Sequence, residues 1–406
     1  MTLAVFVAPM FSPAASEMIE AATSFPDIRV AVIAQQPLSA LAPSLATKIV
    51  GHWRVDDVTD AAQLEWAVGA LSRQHGQVAH CFGAYEQLQL PLALVRERFG
   101  IDGLPSAAAR NFRDKSRMKD VLRAANIPVA RHQLVANRHD AEIFVRDVGF
   151  PIVVKPPAGA GALATHRITN MSALDTVLAA SPPTADNPML AEEFLRGTEH
   201  SLETVSIAGT PVWHSLTHYF PTPLDVIENP WIQWGVLLPR NIDDAQYDDI
   251  RAVGNRALAA LGMHTGVTHC EWFQRTDGSV AISEIAARPP GAQIITMMSR
   301  ANNIDFVRAW VQLMLFGTFT KPTRQYAVGT AYLRGQGTGR VRSVEGVDTM
   351  LRELGTIICD AKLPTVGQTP TGSYEGEGFI MLRHPDTAVV ERALQRVISV
   401  IRVHLG

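Results

Sequence analysis

The chain has 406 residues, of which 47% are hydrophobic and 18% charged. That composition excludes a disordered chain, and the length exceeds what one core usually holds, so two or three domains of roughly 150 residues are expected. Lys plus Arg is 36 and Asp plus Glu is 39, a formal charge of −3, which argues against the broad basic face of a nucleic-acid-binding protein, and no apolar run reaches the ~18–20 residues of a membrane span.

The apolar start, Met1-Thr2-Leu3-Ala4-Val5-Phe6-Val7, lacks a basic flank and meets Pro9. A buried first strand is expected there, not a signal peptide. Residues 14–23 have apolar side chains at helical spacing, and residues 28–33 and 78–82 are further strand-like runs. This alternation predicts a parallel sheet with helices on its faces. Ligands of such sheets bind beyond the carboxyl ends of the strands. Glu86 lies just past one such end, either as a ligand contact or as a carboxylate favoured by a helix N-terminus. No GxGxxG follows the first strand, which argues against a Rossmann-type dinucleotide loop.

Turn signals at Gly103-Leu104-Pro105-Ser106 mark a boundary. Beyond it, residues 115–125 predict an amphipathic helix stopped by Asn126 and Pro128. Residues 151–155 predict a buried strand and residues 158–162 a small-residue loop. Strands are expected over 189–194 and 201–207, and a long helix over 243–261 ending at Gly262. Residues 267–273 and 280–285 predict an antiparallel pair turning at Thr276-Asp277-Gly278. From residue 326 the chain is first strand-rich, then helical over 387–403. The cysteines Cys81, Cys270 and Cys359 form no CxxC pair, so reduced thiols in a cytoplasmic protein are expected.

Four features between residues 114 and 291 carry chemistry. Lys115 opens a helix, an unfavourable place for a cation unless it serves an anion. Lys155 ends an apolar strand before the glycine loop; a desolvated ammonium needs a partner, and backbone amides of such a loop can close around phosphate. The run Glu192-Glu193-Phe194-Leu195-Arg196-Gly197-Thr198-Glu199 is a strand with a bend, whose free backbone groups can pair with a purine edge. Glu271 and Glu284 fall on the two strands of the expected hairpin, near enough in register to face each other. Facing carboxylates repel unless a cation lies between them, and hard divalent cations choose oxygen ligands. Arg288 adds a fork for a carboxylate or phosphate.

The runs DKSRMKDVLRAANIPVA, PIVVKPPAGAGALATHRI, AEEFLRGTEHSLETV, THCEWF and ISEIAARPPG, in this order, resemble the ATP-grasp superfamily. The likeness is to its carboxylate–amine ligase branch, near the bacterial L-amino acid ligases (dipeptide synthases). It implies an α/β fold: a Rossmann-like domain over residues 1–105, a two-lobed ATP-grasp core of α+β type over 106–320, and a small C-terminal α/β lobe over 321–406. It also implies roles. Lys115 and Lys155 match the lysines on ATP phosphates, and the loop 158–165 with Gly161 matches the flap above them. Glu192, Glu193, Phe194 and Leu195 match the adenine hinge, and Glu199 the ribose acid. Glu271 and Glu284 match the Mg²⁺ (or Mn²⁺) ligands, and Arg288 the arginine beside the transferred phosphate, while His269 and Glu86 fall near the substrate.

The implied activity is formation of an amide through an acylphosphate, with ATP, a small carboxylate and an amine as partners, by a homodimer that engages neither nucleic acid nor membrane. This chain departs from the family pattern Glu-x-Asn-x-Arg at Ala286, which cannot coordinate a metal, and its flap is alanine-rich. Two alternatives stay open: a biotin carboxylase-like or carboxyphosphate-forming enzyme, and a nucleotide-binding homologue without turnover. The stretch 218–240, with Tyr219, Phe220, Trp231 and Trp234, either lines a substrate pocket or packs beneath the long helix.

Overall fold

The computed structural model describes residues 1–159 and 164–406. Gly161, expected in the phosphate flap, lies outside the described residues.

The first unit contains β1 (Thr2–Ala8), β2 (Ile28–Ala34), β3 (Gly51–Arg54) and β4 (Val78–Phe82), paired in parallel in the order β3-β2-β1-β4. From Leu3 onward β1 is buried on both faces, which explains its uninterrupted apolar run. Leu3, Val5 and Val7 pack with Leu64 and Val68 of the helix Ala61–His75. Phe6 turns to the other side and joins a core containing Trp310.

The second unit opens with the helix Lys115–Ala124, capped by the Asp114 side chain, which accepts from the amides of Ser116 and Arg117. It continues into β5 (His132–Val135), β6 (Ile152–Lys155), β7 (His166–Ile168) and β8 (Met189–Glu193), an antiparallel sheet of order β5-β8-β6-β7. The helices Arg138–Val148 and Met171–Ala180 bury Phe144 and Leu174 on it.

There follow β9 (Gly197–Ile207), β10 (Thr210–Phe220), β11 (Trp234–Leu238), β12 (Gly266–Arg275), β13 (Val280–Ala286) and β14 (Ala327–Leu333). The last strands are β15 (Gly335–Gln336), β16 (Val341–Glu345), β17 (Ile358–Lys362), β18 (Gly378–His384) and β19 (Arg402–Leu405). Eight of these form one sheet, β13-β12-β9-β10-β11-β14-β18-β17. The segment 321–406 therefore extends the central sheet: Val328, Tyr332 and Met381 share a core with Phe6 and Trp310. Gly197 starts β9 at φ +153°, where a Cβ would lie 2.0 Å from the Gln274 carbonyl oxygen. Only glycine lets the chain bend so close to β12.

Two expected helices differ. The helix over 243–261 starts at Asp248, because Asp244 caps a short 3-10 turn, Ala245–Tyr247, ahead of it. The helix over 387–403 ends at Val400; the chain then extends and β19 pairs with β15 and β16, burying Val403. Among the described residues no helix is long and apolar enough to cross a membrane.

Alternation along β9 and β10 gives the large sheet two characters. Its outer face buries Leu202 against Ile250 and Leu258 of the helix Asp248–Leu261. The same face buries a histidine pair. His200 Nδ1 lies 2.8 Å from His218 Nδ1, and His218 Nε2 lies 2.9 Å from the Tyr247 hydroxyl. Burial pushes His200 down to about 3 and His218 down to about 4. The unfolded chain binds protons below its ordinary value of about 6.5, and the folded chain resists them until pH approaches 4. Stability from this pair is therefore present above pH 6.5 and lost as pH falls. Chemical denaturation of wild type between pH 6.5 and 4.5 should lose about 1.4 kcal/mol per pH unit more than His218→Gln, one proton's worth. Parallel curves for the two proteins would refute this.

Candidate active site

A cavity of about 410 Å³ lies between the small sheet and the inner face of the large one. Its walls include Lys115, Lys155, Glu192, Glu193, Phe194, Leu195, Glu199, His269, Glu271, Glu284, Arg288 and Glu86. Every described candidate from the sequence thus meets at one place.

Glu271 and Glu284 are direct partners across β12 and β13, with a bulge just after Glu271. Lys115 Nζ lies 2.8 Å from Glu284 Oε1 and donates to the Gly159 carbonyl at 2.8 Å. Lys155 Nζ lies 2.9 Å from Glu192 Oε2, while Lys119 Nζ lies 3.3 Å from Glu192 Oε1. Burial would raise the Glu192 carboxyl, but the two ammonium groups hold it at about 2. Glu193 lines the cavity, and its carboxylate accepts from the backbone and side chain of Arg131. Glu199 is buried near other acids; desolvation first, then Glu271, pushes it well above the usual carboxylate range.

Glu86 is held from two sides. Arg288 donates through Nε and Nη2 to Oε2, both at 3.1 Å, and Arg113 Nη1 donates to Oε1 at 3.1 Å. Its carboxylate, which also lines the cavity, is thus shared between two guanidinium groups. The far wall is aromatic. Trp234 stacks on Tyr332 at 4.7 Å and meets Tyr374 edge-on at 4.8 Å, with Tyr219 beside it. Of the four aromatic residues named in the segment 218–240, Tyr219 and Trp234 reach the cavity, whereas Phe220 and Trp231 are exposed.

Residues 120–303 match the family model of the ATP-grasp domain. That match covers just under half of the chain. An L-arginine-specific L-amino acid ligase of Bacillus subtilis is 25% identical over 289 residues, 69% of this chain and 69% of that protein. The crystal structure of an L-amino acid ligase from Bacillus licheniformis superposes with a TM-score of 0.78 at 17% identity, covering 100% of this chain and 99% of that one. N5-carboxyaminoimidazole ribonucleotide synthetase from Thermotoga maritima superposes at 0.72, also at 17% identity, over 100% of both chains.

Within the matched residues, two polar rows cross the inner face of the large sheet. Glu284, Glu271, Ser201 and Thr217 are successive register partners, as are Ala286, His269, Glu203 and Ser215. Glu203 is fully buried and accepts from Ser201 Oγ at 2.6 Å and Thr217 Oγ1 at 3.0 Å; His269 Nδ1 lies 2.9 Å away. The other ring nitrogen of His269 lies 3.5 Å from Glu271. Burial opposes the charge on His269, but Glu203 and Glu271 raise it to about 9. Among the described residues no group of three or more His, Cys, Asp or Glu is arranged to hold a metal. Glu271 and Glu284 present two hard oxygen donors, and Ala286 adds none.

Sequence reasoning missed Lys119, Arg113, Glu203 and Tyr374. Lys119 carried a signal, standing four residues after Lys115 on the same helix face. Glu203 carried one too, two residues after Ser201 and so on the same face of its strand. Arg113 and Tyr374 lie in stretches with no pattern that marks them. Glu203→Gln places an amide donor against a cluster of donors, so it should lower unfolding free energy by about 3 kcal/mol in chemical denaturation. A change below about 0.5 kcal/mol would show that the Glu203 charge is dispensable.

Proposed function

We propose that the protein is an ADP-forming carboxylate–amine ligase that activates an amino acid and joins it to an amine. The observation that carries this is the meeting of the facing pair Glu271 and Glu284 with Lys115, Lys155 and Arg288 in one cavity. The similarity to the L-arginine-specific L-amino acid ligase supports an amino-acid substrate.

In this reading Lys115 and Lys155 take ATP phosphates, the backbone of residues 192–195 takes the adenine edge, and Glu199 takes the ribose. Glu271 and Glu284 would hold Mg²⁺, whose charge neutralises phosphate oxygens. Lys115, now on Glu284 at 2.8 Å, then turns to phosphate. The substrate carboxylate attacks the γ-phosphorus, giving an acylphosphate and ADP. The amine then attacks the acyl carbon and phosphate leaves. Such chemistry asks for positioning and charge neutralisation, which the lysines and Arg288 supply. Arg288, oriented by Glu86, steadies the transferring phosphoryl group. The aromatic wall of Tyr219, Trp234 and Tyr374 excludes water from the acyl end. A cytoplasmic homodimer belongs to the same reading, supported by the free thiols of Cys81 and Cys270 in the interior and by the family resemblance.

A second reading is the carboxyphosphate-forming alternative, in which bicarbonate is the activated carboxylate. ADP release against a panel of amino acids separates them. The ligase requires two substrates for full turnover, the second reading requires bicarbonate, and binding without turnover removes both. Glu284→Gln should abolish ADP release while the circular dichroism spectrum and thermal midpoint stay near wild type; normal turnover in that variant removes the metal assignment.

A further inference from the structure

Two carboxylates beside the cavity each hold two cations, and in each set one cation faces the cavity while the other does not. Glu192 is 4% exposed and meets Lys155, which lines the cavity, and Lys119, which is fully buried behind it. Lys119 is also anchored to the large sheet, donating to the Ser283 carbonyl at 2.5 Å. Glu86 is 6% exposed and meets Arg288, which lines the cavity, and Arg113, which comes from outside the lining. Arg113 ends the helix Ser106–Arg113, and Lys119 lies in the helix that follows, so both come from one stretch of chain.

A phosphate drawn to Lys155 competes with Glu192 for the same ammonium. Were Lys155 the sole partner, its turning away would leave a buried carboxylate unpaired, and that penalty would subtract from phosphate affinity. We propose that Lys119 and Arg113 are stationary counter-charges, positioning residues that hold Glu192 and Glu86 so that Lys155 and Arg288 can turn to the nucleotide phosphates. Each working cation then leaves a carboxylate that is still paired. The inference rests on the reading that Lys155 meets ATP phosphates.

Titration calorimetry with ADP·Mg²⁺ and with adenosine tests it, because only the first ligand calls on Lys155. Lys119→Met should weaken ADP binding by about tenfold and leave adenosine within about twofold, since Glu192 then retains Lys155. The double variant Lys119→Met with Glu192→Gln frees Lys155 and should bring the ADP-to-adenosine preference back to wild type or above. An unchanged preference in the single variant, or no recovery in the double variant, overturns the proposal. If Lys119→Met fails to fold, the double variant, which removes both charges together, decides alone: a preference about tenfold below wild type refutes the proposal. Wild-type protein that binds no ADP would instead sink the ATP reading itself.

Discussion

A carboxylate taken out of water needs a cation or several donors beside it. This protein places several carboxylates around one cavity and supplies three of them with cations from other elements. Glu192 on β8 is met by Lys119 from the preceding helix and Lys155 from β6. Glu284 on β13 is met by Lys115, the first residue of that helix. Glu86, just beyond β4, is met by Arg288 past the end of β13. The ion pairs thus tie the first sheet, the small sheet and the large sheet together at their common edge. The cavity keeps its shape because pulling any wall away would strand a charge.

The same arrangement explains how a nearly neutral chain presents a strongly polar site. Charge is segregated by face and by position along the strands. The inner face of β9 and β12 is polar where Ser201, Glu203 and Glu271 lie, and apolar where Val205 and Val267 pack with Phe306 and Trp310. The apolar end anchors the sheet to the helices Ile294–Asn302 and Phe306–Phe316, which share that core with β1 and β2. The polar end is left to chemistry. Ala286 interrupts the polar row at its edge, and His269, tied to both Glu203 and Glu271, is the next polar group inward.

Much of this was legible in the amino-acid order. β1 is a continuous apolar run because both its faces are covered, and such a run is plain in a sequence; β3, reading Gly-His-Trp-Arg, carries no such run. The pairing of Glu271 with Glu284 followed from the length of a hairpin whose turn is marked by Asp277 and Gly278. Phe220 and Trp231 resembled Tyr219 and Trp234 in composition but point elsewhere, since neighbours on a strand face opposite sides and residue 231 lies outside any strand. The C-terminal helix looked longer than it is because Val400, Ile401 and Val403 are apolar in both a helix and a strand.

The sequence by itself determined the local elements, the order of the chemical groups along the chain, and the one close pair within a hairpin. These depend on periodicity, capping and turn chemistry over a few residues. Only the tertiary structure decided which cation answers which carboxylate. Lys119 reaches the Ser283 carbonyl across 164 positions and Arg288 reaches Glu86 across 202. No local pattern encodes such partners. They are chosen when the sheets pack, because each buried charge must then find whatever opposite charge the fold brings within reach.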